Sequence, residues 1–88
     1  MTFYVYMIGS KVKNKTISYV GYTNNLKKRL NLHNCSKGAK FTKGKIWKLI
    51  YYKEYKTKNE AMKNEYKLKK NNILRKKIKN ENFYTLTF

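Results

Sequence analysis

The chain has 88 residues with 22 Lys+Arg against 4 Asp+Glu, a formal charge of +18. That length supplies one modest core and no second module, so residues 1–88 read as a single domain, and so lopsided a charge repels itself unless a polyanion is at hand: nucleic acid first, an anionic membrane surface second. No apolar run approaches the roughly 20 residues a spanning helix needs, and no signal peptide is visible.

Thr2 to Ile8 is aromatic and β-branched and stops at Gly9, which reads as a strand. Alternation puts Phe3, Val5 and Met7 on one side and Tyr4, Tyr6 and Ile8 on the other, so both faces need cover. Residues 9–16 read as a polar connection, and Ile17 to Tyr22 returns as a second strand of an antiparallel hairpin. Thr23 or a neighbouring Asn is placed to cap the next helix. On that helix Leu26 and Leu30 set the buried stripe, while Arg29 and His33 stand one turn apart on an adjoining face. A solvated arginine and a polar helix end is the plainer reading of that pair.

Cys35 is the single cysteine, which excludes an internal disulfide and a Cys-based zinc finger and points to an intracellular protein, of cytoplasm or nucleus. A Cys–His protease would need a supporting third group and an oxyanion site as well. Asn34 to Lys45 has no helical period and holds Lys37, Lys40, Lys43 and Lys45 with Gly38 and Gly44. Glycines allow close backbone approach and lysines neutralise phosphates, so the stretch reads as a nucleic-acid-facing loop, with a merely solvated loop as the alternative. It lacks the GxxxxGK[ST] pattern of a phosphate-binding P-loop.

Ile46 to Tyr55 is the most apolar strand signal, with Trp47, Leu49 and Tyr51 on one face and Ile46, Ile50 and Tyr52 on the other, as in a central strand. Trp47 is most simply core. Thr57 to Glu60 matches a capping box, and a helix begins there. Ala61, Met62, Glu65, Tyr66, Leu68 and Ile73 recur at helical spacing, which puts the Glu65 carboxylate near the middle of the inward arc, costly unless compensated. Otherwise Glu65 is an ordinary surface partner of Lys69. After Asn71 a helix continues or restarts with Arg75, Lys76, Lys77 and Lys79 on a basic face, making 71–88 a basic extension of a core over about 3–70. Phe83 to Phe88 reads as an extended packing segment without an assigned role. A/T-rich coding would also enrich lysine, but it would enrich glutamate as well, and only Glu54, Glu60, Glu65 and Glu81 are acidic.

The fold expected is mixed α/β, a small three-stranded antiparallel sheet flanked by helices. Tyr4-Val5-Tyr6, Tyr19-Val20-Gly21 with Tyr22-Thr23, Arg29 and His33 in an R-x-x-x-H pattern, and Glu65 within NEAMKNEYKLKK stand in an order and spacing that resembles the GIY-YIG nuclease superfamily. The resemblance covers about residues 3–70, with Tyr4 where the eponymous glycine stands, and is nearest to the short members: small bacterial proteins and the nuclease half of a branched-DNA structure-specific subunit. It implies Tyr6 and Tyr19 as active-site tyrosines, Arg29 on phosphate, His33 as a further catalytic group, Glu65 as ligand of Mg²⁺ or Mn²⁺, and Gly21 as a structural residue behind the site.

Phosphodiester hydrolysis needs an aligned water, a base and positive charge at the phosphate. Tyr6 is the favoured base with His33 assisting, and the reverse assignment stays open. Lys37, Lys40, Lys43, Lys45 and Lys69 would give sequence-independent affinity for DNA. With no base-reading element, selectivity would come from branches, flaps or nicks. A non-catalytic nucleic-acid-binding module on the same fold is the rival. A protein partner or a homodimer is not legible, nor is RNA distinguished from DNA.

Overall fold

In the computed structural model, which describes residues 1–82, strand β1 (Phe3–Val12) turns at Lys13 and Asn14 into β2 (Lys15–Thr23). The pairing is antiparallel, with Tyr6 opposite Gly21 and Ile8 opposite Tyr19. The hairpin runs through residues 9–16, which the sequence suggested as a connection, because ladder bonds need no apolar side chains. Ser10 pairs with Ile17 and Lys11 with Thr16, and Lys13 at φ 58° takes the left-handed turn position that glycine or asparagine commonly fills. The packing segment expected over 83–88 lies outside the described residues.

A third strand, β3 (Lys48–Tyr55), pairs antiparallel with the other side of β1, giving the order β2-β1-β3. The central strand is therefore the first one. The third segment looked central because both of its faces are covered by other elements, and covered faces do not reveal an open edge. Its start also moves: Ile46 precedes the strand and is exposed, while Trp47 is buried. Between Met7 and Ile8 the register with β3 shifts by one, Met7 facing Tyr51 and Ile8 facing Leu49, so Ile50 forms a bulge. One extra residue reverses the alternation beyond it. Leu49 packs with Trp47 on one side of the sheet; Ile50 and Tyr51 both pack on the other, and Tyr52 meets Tyr4 edge-on.

Helix α1 (Leu26–Asn34) lies on the Tyr6 and Ile8 side, where Leu30, Trp47 and Leu49 complete the apolar layer. Its cap is Asn25, whose side chain accepts from the Lys28 amide at 3.1 Å. Helices α2 (Lys58–Lys70) and α3 (Asn72–Asn82) cover the opposite side, where Val5, Met7, Val20 and Ile50 pack with Ala61, Leu68 and Ile78. The packed layer thus reaches past residue 70. Thr57 caps α2, accepting from the Glu60 amide at 3.1 Å and donating its hydroxyl to Glu60 Oε1, and Asn71 ends α2 and caps α3 through the Leu74 amide. No helix among the described residues is long and apolar enough to cross a membrane.

Candidate active site

The register that sets Tyr6 against Gly21 shapes the site, because a side chain on that cross-strand neighbour would fill the space that the Tyr6 ring occupies. A Cβ on Gly21 would collide with Tyr6 Oη and lie 2.7 Å from its Cζ. Tyr6 is 2 % exposed. Its hydroxyl meets His33 Nε2 at 2.8 Å and receives the Arg29 Nε–H at 3.4 Å. One turn of α1 separates Arg29 from His33, so both converge on one phenolic oxygen from the same helix face. Tyr19 leans on the His33 ring at 5.2 Å between centroids and stacks on Phe41 at 6.2 Å.

His33 is fully buried, although it stands in the last turn of a polar helix. The loop after α1 folds back over it. Gly38 passes so close that a Cβ there would collide with Nδ1 and lie 2.8 Å from Cε1. Thr42, also fully buried, meets Nδ1 at 2.8 Å through Oγ1. Three bonds around Trp47 fasten this loop. Asn34 clamps the Trp47 backbone, accepting from its amide at 2.6 Å and donating to its carbonyl at 3.1 Å, and the Trp47 indole donates to the Thr42 carbonyl at 2.9 Å. Nothing in the sequence marks Thr42, and Gly38 reads as a ligand-facing glycine where the structure sets it against His33. The glycine there approaches a side chain of its own chain rather than a ligand, and a threonine nine residues from its histidine has no periodic signature; the buried-loop signal, Trp47 shortly after, was read only as core.

Tyr6, Tyr19, Arg29 and His33, the set that the resemblance implies, lie together in the structure, and Gly21 stands behind Tyr6. Glu65 comes from the other layer. Its side chain is only 18 % exposed, meets Lys69 Nζ at 3.5 Å, and borders a hollow lined by Tyr22, Met62 and Tyr66. It sits at the edge of the inward arc instead of its middle, since Met62, Tyr66 and Ile73 are exposed and Ala61 and Leu68 carry the packing. Its charge nonetheless reaches Tyr6. Burial pushes the Tyr6 phenol from 10.0 up to about 12 against the pull of Arg29, with smaller upward pushes from Tyr19 and Glu65. Burial, seconded by the Arg29 charge, holds His33 down from 6.5 to about 4. Near neutrality both groups are uncharged.

Among the loop lysines, Lys37, Lys40 and Lys43 are exposed. Lys45 instead folds onto Phe41, bonding its carbonyl at 3.1 Å with the ammonium 5.4 Å from the ring centroid, and Lys69 is held by Glu65. Tyr4, in place of the eponymous glycine, keeps a strand backbone; among the described residues only Lys13, Ser36 and Gly44 have positive φ.

Among the described residues no three His, Cys, Asp or Glu side chains cluster, and both ring nitrogens of His33 are engaged. A zinc site, with its three or four protein ligands, does not fit. A hydrated Mg²⁺ or Mn²⁺ on one carboxylate does, because such ions keep several waters and take phosphate oxygens for the rest.

Residues 2–82 match the family model of the GIY-YIG catalytic domain, and the chain belongs to that family of nucleases. A UPF0213 protein of Clostridium perfringens is 41% identical over 91% of this chain and 91% of its own length. Another, of Oceanobacillus iheyensis, is 42% identical over 75% of this chain and 74% of its own. The solution NMR structure of a UPF0213 protein from Bacillus halodurans is 33% identical, with a TM-score of 0.49 over 88% of this chain and 80% of that one.

Proposed function

We propose that this chain is a divalent-metal-dependent endonuclease that hydrolyses phosphodiester bonds in DNA, selecting branches, flaps or nicks by shape rather than sequence. The observation that carries the reading is the meeting of Arg29, Tyr6 and His33 on one buried phenolic oxygen. Binding alone has no use for such a group.

In this reading Tyr6 is the base for the attacking water and His33 is its proton relay. Arg29 keeps Tyr6 in place with Nε and offers its terminal N–H groups to a nonbridging phosphate oxygen, a fork that lysine cannot supply. Tyr19 and Phe41 wall the site. Glu65 would hold Mg²⁺ or Mn²⁺, which when bound supplies positive charge for the phosphate and leaving oxygen. Its bond to Lys69 is a 3.5 Å i,i+4 pair whose lysine end is exposed, of a kind worth a few tenths of a kcal/mol on a helix surface and so easily surrendered. In the unloaded protein burial raises the Tyr6 phenol and lowers the His33 imidazole, so both rest in their neutral forms and transfer of the proton from Tyr6 to His33 is unfavourable. The relay would therefore operate only when positive charge beside the phenol favours the phenolate. Lys37, Lys40 and Lys43, on the loop that roofs the site, would track the DNA backbone, with Lys45 and Lys69 joining once released.

A non-catalytic DNA-binding module draws its support from the Glu65 and Lys69 pair, which gives the acid a partner without any metal. Cleavage assays on branched, flapped and linear DNA with and without Mg²⁺ decide between them. The endonuclease reading expects Mg²⁺-dependent cutting that prefers branched or flapped substrates and is abolished by Glu65→Gln. Binding without cutting establishes the module, and equal cutting of linear duplex removes shape selection.

A further inference from the structure

Both nitrogens of the His33 ring lie between hydroxyls, Nε2 at 2.8 Å from Tyr6 and Nδ1 at 2.8 Å from Thr42. A neutral imidazole carries one proton, and its place decides what the ring does to Tyr6. With the proton on Nε2, the ring donates to the phenol and cannot receive from it. With the proton on Nδ1, Nε2 is a lone pair aimed at the Tyr6 hydroxyl.

Counting donors resolves the two. Thr42 has a single hydroxyl proton, and it is given to the Ala39 carbonyl at 2.9 Å. Only lone pairs of Oγ1 remain for the ring, so Nδ1 must be the protonated nitrogen. The threonine cannot readily turn, because the Trp47 indole holds its carbonyl, Asn34 holds Trp47, and Gly38 lies against the ring. A buried site leaves no water to make up a lost bond, which makes the wrong tautomer expensive.

We propose that Thr42 is a positioning residue: its hydroxyl, committed to the Ala39 carbonyl, fixes His33 as the Nδ1–H tautomer and so aims the Nε2 lone pair at Tyr6. The proton then runs one way. The Tyr6 O–H bond breaks, an N–H bond forms at Nε2, and the products are a phenolate facing Arg29 and an imidazolium whose Nδ1–H stays on Thr42. The catalytic consequence rests on Tyr6 and His33 being the proton-handling pair, whereas the tautomer itself is measurable without catalysis.

The chain contains one histidine, so a long-range ¹⁵N–¹H correlation spectrum of the uniformly labelled protein near neutral pH reports this ring alone. The wild type is expected to show a protonated Nδ1 and an unprotonated Nε2. Thr42→Val, nearly the same shape without the hydroxyl, is expected to move the ring toward the Nε2–H form and to lower Mg²⁺-dependent cleavage by on the order of 100-fold. Thr42→Ser restores both. A wild-type ring protonated on Nε2 overturns the proposal, as does a folded Thr42→Val that keeps the Nδ1–H form. If Thr42→Val does not fold, the wild-type spectrum and the cleavage of Thr42→Ser decide, and a Thr42→Ser protein that is folded yet as slow as a His33→Ala variant counts against it. Absence of cleavage in every variant defeats the nuclease reading and leaves the tautomer result standing.

Discussion

Tyr6 and His33 are both buried in their neutral forms, and neutrality kept by burial is a debt that titration reveals. His33 binds a proton near 6.5 when unfolded but only near 4 when folded. Between those values the unfolded state holds more protons, so stability falls as the pH drops through that window, by roughly 3 kcal/mol in all, and the contribution is flat above 6.5. Tyr6 works in the other direction: the unfolded phenol ionises near 10 and the folded one near 12, so stability falls again as the pH rises from 10 toward 12, by roughly 3 kcal/mol. Tyr55, whose phenol is also raised by burial, adds to the alkaline limb, so the difference between wild type and Tyr6→Phe is the informative quantity. Urea midpoints measured across pH are expected to lose their acid slope in His33→Gln and part of their alkaline slope in Tyr6→Phe. Gly21 belongs to the same scale. Gly21→Ala forces a methyl against the Tyr6 ring, which has no room to retreat; it is expected to cost roughly 1–3 kcal/mol in denaturant unfolding and to reduce cleavage further than that loss explains, because the 2.8 Å bond to His33 cannot survive the shift.

Among the elements, the strands and the long helices were legible because each advertises itself locally: β-branched and aromatic alternation in β1, a capping box ahead of α2. What stayed hidden depends on a partner elsewhere in the chain. The bulge at Ile50 is a mismatch between two strands, and neither strand shows it alone. The loop over His33 is polar by composition and largely exposed, yet it buries Thr42 against the ring, held by the Asn34 clamp on Trp47 that no sequence period marks. The site was legible to the extent that R-x-x-x-H and the tyrosines lie on regular elements, and illegible where Thr42 completes it from a loop. Two cap-like residues test this distinction. Thr57→Ala removes the N-cap of α2 and is expected to cost about 1 kcal/mol of stability with cleavage by the folded protein unchanged. Asn34→Ala leaves the Trp47 amide without its acceptor, costing roughly 1–3 kcal/mol, and is expected to lower cleavage as well, with faster hydrogen exchange at the Trp47 amide.

For the whole molecule the dominant quantity is +18. Self-repulsion of that size makes stability rise with added salt while affinity for DNA falls. Each lysine that neutralises a phosphate contributes about 0.9 to the slope of log K against log salt. Replacing Lys40 and Lys43 together by alanine is expected to flatten that slope by about 2 and to slow cleavage at subsaturating DNA, as both sit on the roof of the site. Replacing Lys76 and Lys77, on α3 behind the sheet, is expected to leave cleavage at saturating DNA unchanged. Fluorescence anisotropy over a salt series measures the slopes.

β2 and β3 each pair with β1 along one side only, and Lys15, Lys48 and Lys53 stand exposed on these outer strands. Mutual repulsion among copies guards such borders against stacking into larger sheets. A protein that meets its polyanion at charge equivalence lowers that guard at the moment of binding, so crowding many copies onto one stretch of DNA invites coalescence. Turbidity that peaks at matched charge and clears with excess DNA would be its visible sign.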